Sequence, residues 1–128
     1  MTSALDRLAT AQYVSLTTYR RDGTSVPTAV WIAGDGEALY VWTAADTGKV
    51  KRIRRCPDVT VAPSDPRGRV SGDAVRATAE ICDAAGTEHT RDLLRRKYGW
   101  LGRALIRLSL WRRGRDGTVG LRLTLRAD

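Results

Sequence analysis

Turn residues cut this chain into short β-prone runs, and that punctuation constrains the fold more than any other feature. Residues 13–19 are rich in β-branched and aromatic side chains and lead into Arg21-Asp-Gly-Thr24, a combination that reads as a strand entering a hairpin. Residues 26–33 form the return strand, and Pro27 near its start belongs where no ladder hydrogen bond is needed. Gly34-Asp-Gly36 turns the chain into a third strand over 38–43, completing a meander. Residues 58–62 read as a fourth strand ended by Pro63-Ser-Asp-Pro-Arg-Gly68. Alternating apolar and polar residues predict two more strands over 74–81 and 119–125.

Helices fit between these runs. Residues 3–11 predict a short helix with Leu5 and Leu8 on one face and Thr2 or Ser3 as its cap. A second spans about 87–98, with Thr87 as cap, Leu93 and Leu94 inward and Gly99 at its C-terminal end. A further amphipathic stretch, 100–113, places Leu101, Leu105 and Leu108 at helical spacing among Arg103, Arg107, Arg112 and Arg113. Contact with a membrane surface or nucleic acid and a helix packed on the barrel with its arginines in water explain the same pattern; the second is the expectation, with Trp100 and Trp111 as packing or dimer contacts. Six short strands with these connections predict a mainly β, mostly antiparallel domain over 1–128, and closure into a small barrel removes its edges.

The segment from Thr43 to Arg55 stands out by its charge. Cys56-Pro57 stops a helix there, because the residue before proline is pushed out of helical geometry, and Val50 and Ile53 are spaced to bury one face. Asp46 or Thr47 is placed to cap the first turn. Lys49, Lys51 and Arg52 then crowd the opening turns, where the macrodipole already presents positive charge. A helix destabilised by its own cations beside Gly48 and free backbone N–H groups is built to meet a phosphate-like anion, although a solvated basic helix has the same composition.

The whole chain carries a formal net charge of +8, which implies an anionic partner: nucleic acid, a membrane surface, or a small ligand bearing phosphates or carboxylates. No N-terminal leader pattern and no run of about 18 apolar residues occurs, so the expected location is cytoplasmic. Cys56 and Cys82 sit in no metal-ligand spacing and read as reduced packing thiols. One histidine, His89, lies at the start of a predicted helix and reads as surface decoration. With no nucleophile–base set and no paired carboxylates at a pocket-forming spacing, the chain offers no acid–base machinery of its own.

The ordered series Pro27-Thr-Ala-Val-Trp31, Leu39-Tyr-Val-Trp-Thr43, Thr47-Gly-Lys-Val-Lys-Arg52, Val59-Thr-Val-Ala-Pro63 and Arg67-Gly68 resembles the split β-barrel flavin and deazaflavin proteins. These form the pyridoxamine-5'-phosphate-oxidase-like superfamily, and the resemblance is nearest to its actinobacterial branch using the deazaflavin coenzyme F420. It implies a six-stranded antiparallel Greek-key split barrel and a homodimer with a cofactor in each of two interface grooves. It places Lys49, Lys51 and Arg52 at the cofactor phosphate with Thr43 beside them, and Thr28, Ala29 and Val30 along the tricyclic ring with Pro27 leading in. Arg55, Pro63, Ser64 and Arg67 become neighbours of the cofactor tail, and Trp31 and Trp42 flank the ring or pack in the core. The activity implied is oxidoreduction: hydride transfer from reduced F420 to an electron-poor organic acceptor, with no catalytic side chain of the protein's own and no metal. FMN with the same fold, or a non-catalytic flavin or deazaflavin carrier, is the alternative. The polyglutamate tail of the deazaflavin suits the positive charge better than FMN does. A small-molecule substrate, no nucleic-acid partner and no stable membrane association complete the expectation.

Overall fold

The computed structural model describes residues 3–126. The elements run α1 Ala4–Thr10, β1 Tyr13–Tyr19, β2 Ser25–Val30, β3 Ile32–Gly34, β4 Leu39–Ala44, α2 Gly48–Arg55, β5 Asp58–Ser64, β6 Val75–Ile81, α3 Ala84–Arg113 and β7 Thr118–Leu125, with one 3-10 turn, Arg115–Gly117, before the last strand. All strand pairs are antiparallel, in the order β2-β1-β5-β6-β7-β4-β3.

The sheet has seven strands, not the expected six. The run over 26–33 is interrupted at Trp31, where the chain leaves its pairing with β1 (Val14 opposite Val30) and takes up pairing with β4 (Ile32 opposite Val41). One strand cannot follow both neighbours on a twisted sheet without bending, so the run divides. The outermost strands of the order are thereby joined through a single residue, and the sheet curls until its two ends meet there. Pro27 sits opposite Thr17 in β2, an outermost strand, where a missing N–H costs no inter-strand bond on the open side.

Inward-facing Val14, Leu16, Ile32, Leu39, Val41, Val59, Val61, Leu121 and Leu123 fill the barrel, and Leu8 of α1 joins them from one end. Ser3 Oγ accepts from the Asp6 N–H at 3.1 Å and caps α1; Thr2, the other cap expected, lies outside the described residues. A second cluster lies outside the barrel wall, where Ala33, Ala38 and Tyr40 meet Leu93, Leu94 and Ile106 of α3.

Helix α3 starts earlier than expected. Asp83, rather than Thr87, is its cap, accepting from the Gly86 N–H at 2.8 Å. Thr87 is buried inside the first limb, and its hydroxyl accepts from the Gly120 N–H of β7 at 3.1 Å. Gly99 ends that limb as expected, with φ 61° and ψ −137°, a conformation that favours glycine. Beyond the kink, Gly102 and Ile106 are the buried residues of the second limb, whereas Leu101, Leu105 and Leu108 are 41 to 48% exposed, Leu105 and Leu108 in a groove beside Trp42 and Leu101 in one beside Tyr98. The leucine spacing is helical, as expected, but these residues stay largely uncovered. Periodicity locates a stripe without saying which neighbour it meets, and the Gly99 bend turns the narrow Gly102 side toward the first limb, where an added Cβ would stand 2.9 Å from the Leu94 carbonyl oxygen.

Candidate cofactor-binding site

The basic helix forms as its pattern predicts, with Val50 and Ile53 buried and Cys56 in extended backbone at its end. Its expected side-chain cap is absent. Thr47 occupies the cap position with extended dihedrals, but its hydroxyl donates back to the Ala44 carbonyl at 3.0 Å, so the first turn has no side-chain acceptor. Asp46 points to solvent, its nearest ion-pair contact being Arg113 at 4.0 Å. The helix therefore opens with no side-chain cap and no acidic residue in its first turn.

Two cations are folded over that opening. Lys49 Nζ donates to Thr43 Oγ1 at 2.8 Å, and Arg52 Nε donates to the buried Thr18 hydroxyl at 2.7 Å. The Arg52 guanidinium doubles back so far that a Cβ on Gly48 would stand 2.8 Å from its Nη1. Burial, then the neighbouring Arg52 charge, pushes the Lys49 ammonium below its ordinary range. Arg55 Nη2 donates to the Tyr19 carbonyl at 2.7 Å on the same side of the barrel. Among the described residues no ion pair engages Lys49, Lys51, Arg52, Arg54 or Arg55. Lys49 and Arg52, held by hydroxyls over the positive end of the helix, form an arrangement that an anion would stabilise, while Arg55 sits at the opposite end of α2.

The remaining expected residues lie farther along β1. Thr28, Ala29 and Val30 face Leu16, Ser15 and Val14, and Pro63 of β5 flanks Val14 from the other side. Thr18, which holds Arg52, is two residues from Leu16 and four from Val14, about 7 to 13 Å at the usual rise per strand residue. Thr43, Lys49 and Arg52 thus form one group, and residues 28–30 and Pro63 another. The turn ending at Gly68 reaches β2, a Gly68 Cβ lying 3.9 Å from Ala29 Cβ. Arg67 and Lys51 are exposed, and Ser64 turns its hydroxyl to the Asp65 carbonyl.

Sequence reasoning missed four features. Thr18 carries no local signal, since its partner is 34 residues away. His89 is not decoration: its Nε2 lies 3.1 Å from Asp35 Oδ2, and its ring meets Tyr40 edge-on. Burial opposes charge on Asp35, yet N–H groups of Ala38 and Glu37 together with His89 hold its carboxyl at about 2. Trp31 stacks on Tyr98 with ring centres 4.0 Å apart. The Tyr98 hydroxyl donates to the Gln12 carbonyl and accepts from the Ile32 N–H, while Lys97 Nζ donates to the carbonyls of Ala11 and Ile32 at 2.5 and 2.6 Å. Burial pushes Lys97 down to about 8 and Tyr98 up to about 12. Buried Arg91 bridges Glu88 and Thr118. Both cysteines are free, and burial pushes the Cys82 thiol up, away from reactivity. No cluster of metal-ligating side chains occurs among the described residues, and no described helix is long and apolar enough to cross a membrane.

A curled antiparallel sheet whose ends meet at a bent strand, flanked by helices, defines the split β-barrel. This chain shares that fold with several solved structures. It is similar to an F420 reductase at 22% identity, with 99% of this chain and 97% of that one aligned and a TM-score of 0.63. A Listeria innocua protein assigned provisionally as a pyridoxamine 5'-phosphate oxidase aligns at 20% identity over 98% of this chain and 95% of its own, TM-score 0.63. HutZ, the heme storage protein of Vibrio cholerae, aligns at 12% identity over 91% and 83%, TM-score 0.67. No protein-family model matches the sequence, and no curated protein matches it significantly.

Proposed function

We propose that this protein is an oxidoreductase that binds reduced coenzyme F420 and presents it to an electron-poor organic acceptor, in a groove completed by a second copy of the chain. The observation that carries the reading is the pair Lys49 and Arg52, held by Thr43 and Thr18 over an uncapped helix opening without a carboxylate partner. A phosphate fits there by charge and by hydrogen-bond donors. The second group begins about 7 Å away along β1 and extends to about 13 Å, and the outer edge of β2 at residues 28–30 leaves backbone N–H and C=O groups open for the rim of a planar ring. Exposed Lys51 and Arg54 add positive surface on the same helix, which suits a polyanionic tail. The likeness to an F420 reductase supports the same choice.

When bound, the coenzyme supplies the hydride, and the protein's part is to hold, orient and dry it. Lys49 and Arg52 anchor one end by charge, and the β2 backbone fixes the other by hydrogen bonds, an orientation effect that needs no side-chain proton donor.

The test is a fluorescence titration of the purified protein with F420 and with FMN, followed by turnover of the reduced coenzyme against a panel of enones and quinones. Tighter binding of F420 and acceptor-dependent oxidation are expected. Tighter binding of FMN would reassign the cofactor; binding without turnover over the whole panel would make the protein a carrier.

A further inference from the structure

The second limb of α3 leaves a broad apolar face uncovered. Trp100 and Trp111 are 80% and 82% exposed, and Leu101, Leu105 and Leu108 are each more than 40% exposed. At about 100° per residue these five and Ala104 occupy roughly 140° of the helix circumference, opposite Gly102 and Ile106, and the tryptophans stand about 16 Å apart along the axis. A contiguous patch of this kind marks an interaction site rather than scattered surface residues.

Charge says what covers it. Residues 100–113 contain four arginines and no acid. Arg103 and Arg107 border one side of the face, Arg112 interrupts its other side between Leu101 and Leu105, and none of the three enters an ion pair among the described residues. Arg103 and Arg107 share a groove with Arg95 and Trp100, and Arg95 is already engaged by Glu88 and Asp92. A second copy seated on this face would bring four more arginines against these, with no carboxylate on either limb. An anionic lipid surface offers the complement to both parts, acyl chains for tryptophan and leucine and headgroup phosphates for arginine.

We infer that residues 100–113 form a reversible docking helix for anionic phospholipid membranes. The helix lies flat, its Trp100–Trp111 line entering the headgroup boundary and Arg103, Arg107 and Arg112 on phosphates. This goes beyond the expectation of no stable membrane association, and it rests on the apolar face and its arginines alone, independent of the coenzyme.

Cosedimentation of the full chain with vesicles tests it. Vesicles of equal parts phosphatidylglycerol and phosphatidylcholine retain the protein, pure phosphatidylcholine retains it far less, and added salt weakens retention. Arg103→Gln with Arg107→Gln lowers partitioning by roughly 25-fold, about fivefold per arginine near an anionic surface. Trp100→Ala with Trp111→Ala lowers it by at least about tenfold through lost apolar burial. Arg20→Gln with Arg21→Gln, which removes the same charge from the β1–β2 turn, leaves it within about threefold. All six residues are exposed, so circular dichroism is expected to report unchanged folding. Full retention of the tryptophan variant would mean only diffuse attraction of a basic protein and overturns the inference. Equal retention on neutral vesicles overturns it too. So does a lipid-free dimer that the tryptophan substitutions dissociate and that anionic vesicles fail to capture, since a second copy would then own the face.

Discussion

Replacing Lys49 separates an anion-binding helix from a merely basic one. Its ammonium is half-buried, 2.8 Å from Thr43 Oγ1 and close enough to Arg52 to be disfavoured by it. A charge-assisted contact to a partly desolvated phosphate is worth about 1–3 kcal/mol net, which is about 5- to 150-fold in Kd. Lys51→Ala is the internal comparison: same charge, one helix, but exposed, so its contribution stays within about 0.2–1 kcal/mol, or less than about sixfold. Stability moves the other way. Lys49→Met keeps the apolar stem and removes a cation from a site that disfavours it, so the melting temperature is expected to hold or rise while coenzyme affinity falls. The folded chain binds Lys49's proton less readily than the unfolded chain, so this residue's contribution makes stability increase with pH below the ordinary lysine value of 10.5, and Lys49→Met removes that contribution. Fluorescence titration gives Kd and differential scanning fluorimetry gives the melting temperature. Equal, less than twofold changes in Kd for Lys49→Ala and Lys51→Ala would refute the placement of the phosphate.

Three other perturbations probe the frame around the site. Lys97→Met leaves the Ala11 and Ile32 carbonyls without their donor and is expected to cost about 1–3 kcal/mol in urea unfolding; its folded value of about 8 against 10.5 means that the wild-type chain gains stability between those pH values and the variant does not. Gly120→Ala drives a methyl into the Thr90 side chain and is expected to cost about 1–3 kcal/mol by overpacking, measured by the same unfolding. Asp35, held at about 2 against 3.8, contributes stability that is present above pH 4 and is lost as pH falls toward 2; an acid titration followed by circular dichroism is expected to show a shallower decline for Asp35→Asn.

Strand β1, residues 13–19, is legible in the sequence because its pattern and its turn are local, and so are the basic helix with buried Val50 and Ile53 and the stop at Cys56-Pro57. What is missed depends on distant partners. Nothing near Trp31 announces that one run serves two neighbours, nothing near Thr87 announces Gly120, and the exposure of Leu101, Leu105 and Leu108 follows from the bend at Gly99. At the candidate site the cations were readable by type and position. Their tethers, Thr18 and Tyr19 on another strand, were not, nor was the division of the expected residues into two groups.

Because β2 and β3 are successive parts of one run, the seam of the barrel and the edge open to a planar guest are the same piece of backbone. A molecule resting on Thr28 to Val30 would steady the Ile32 to Gly34 amides without touching them, and Trp31, clamped on Tyr98, would relay that stiffening to α3. Slower amide exchange across the closure, appearing only when the adjoining groove is filled, would be the mark of that shared thread.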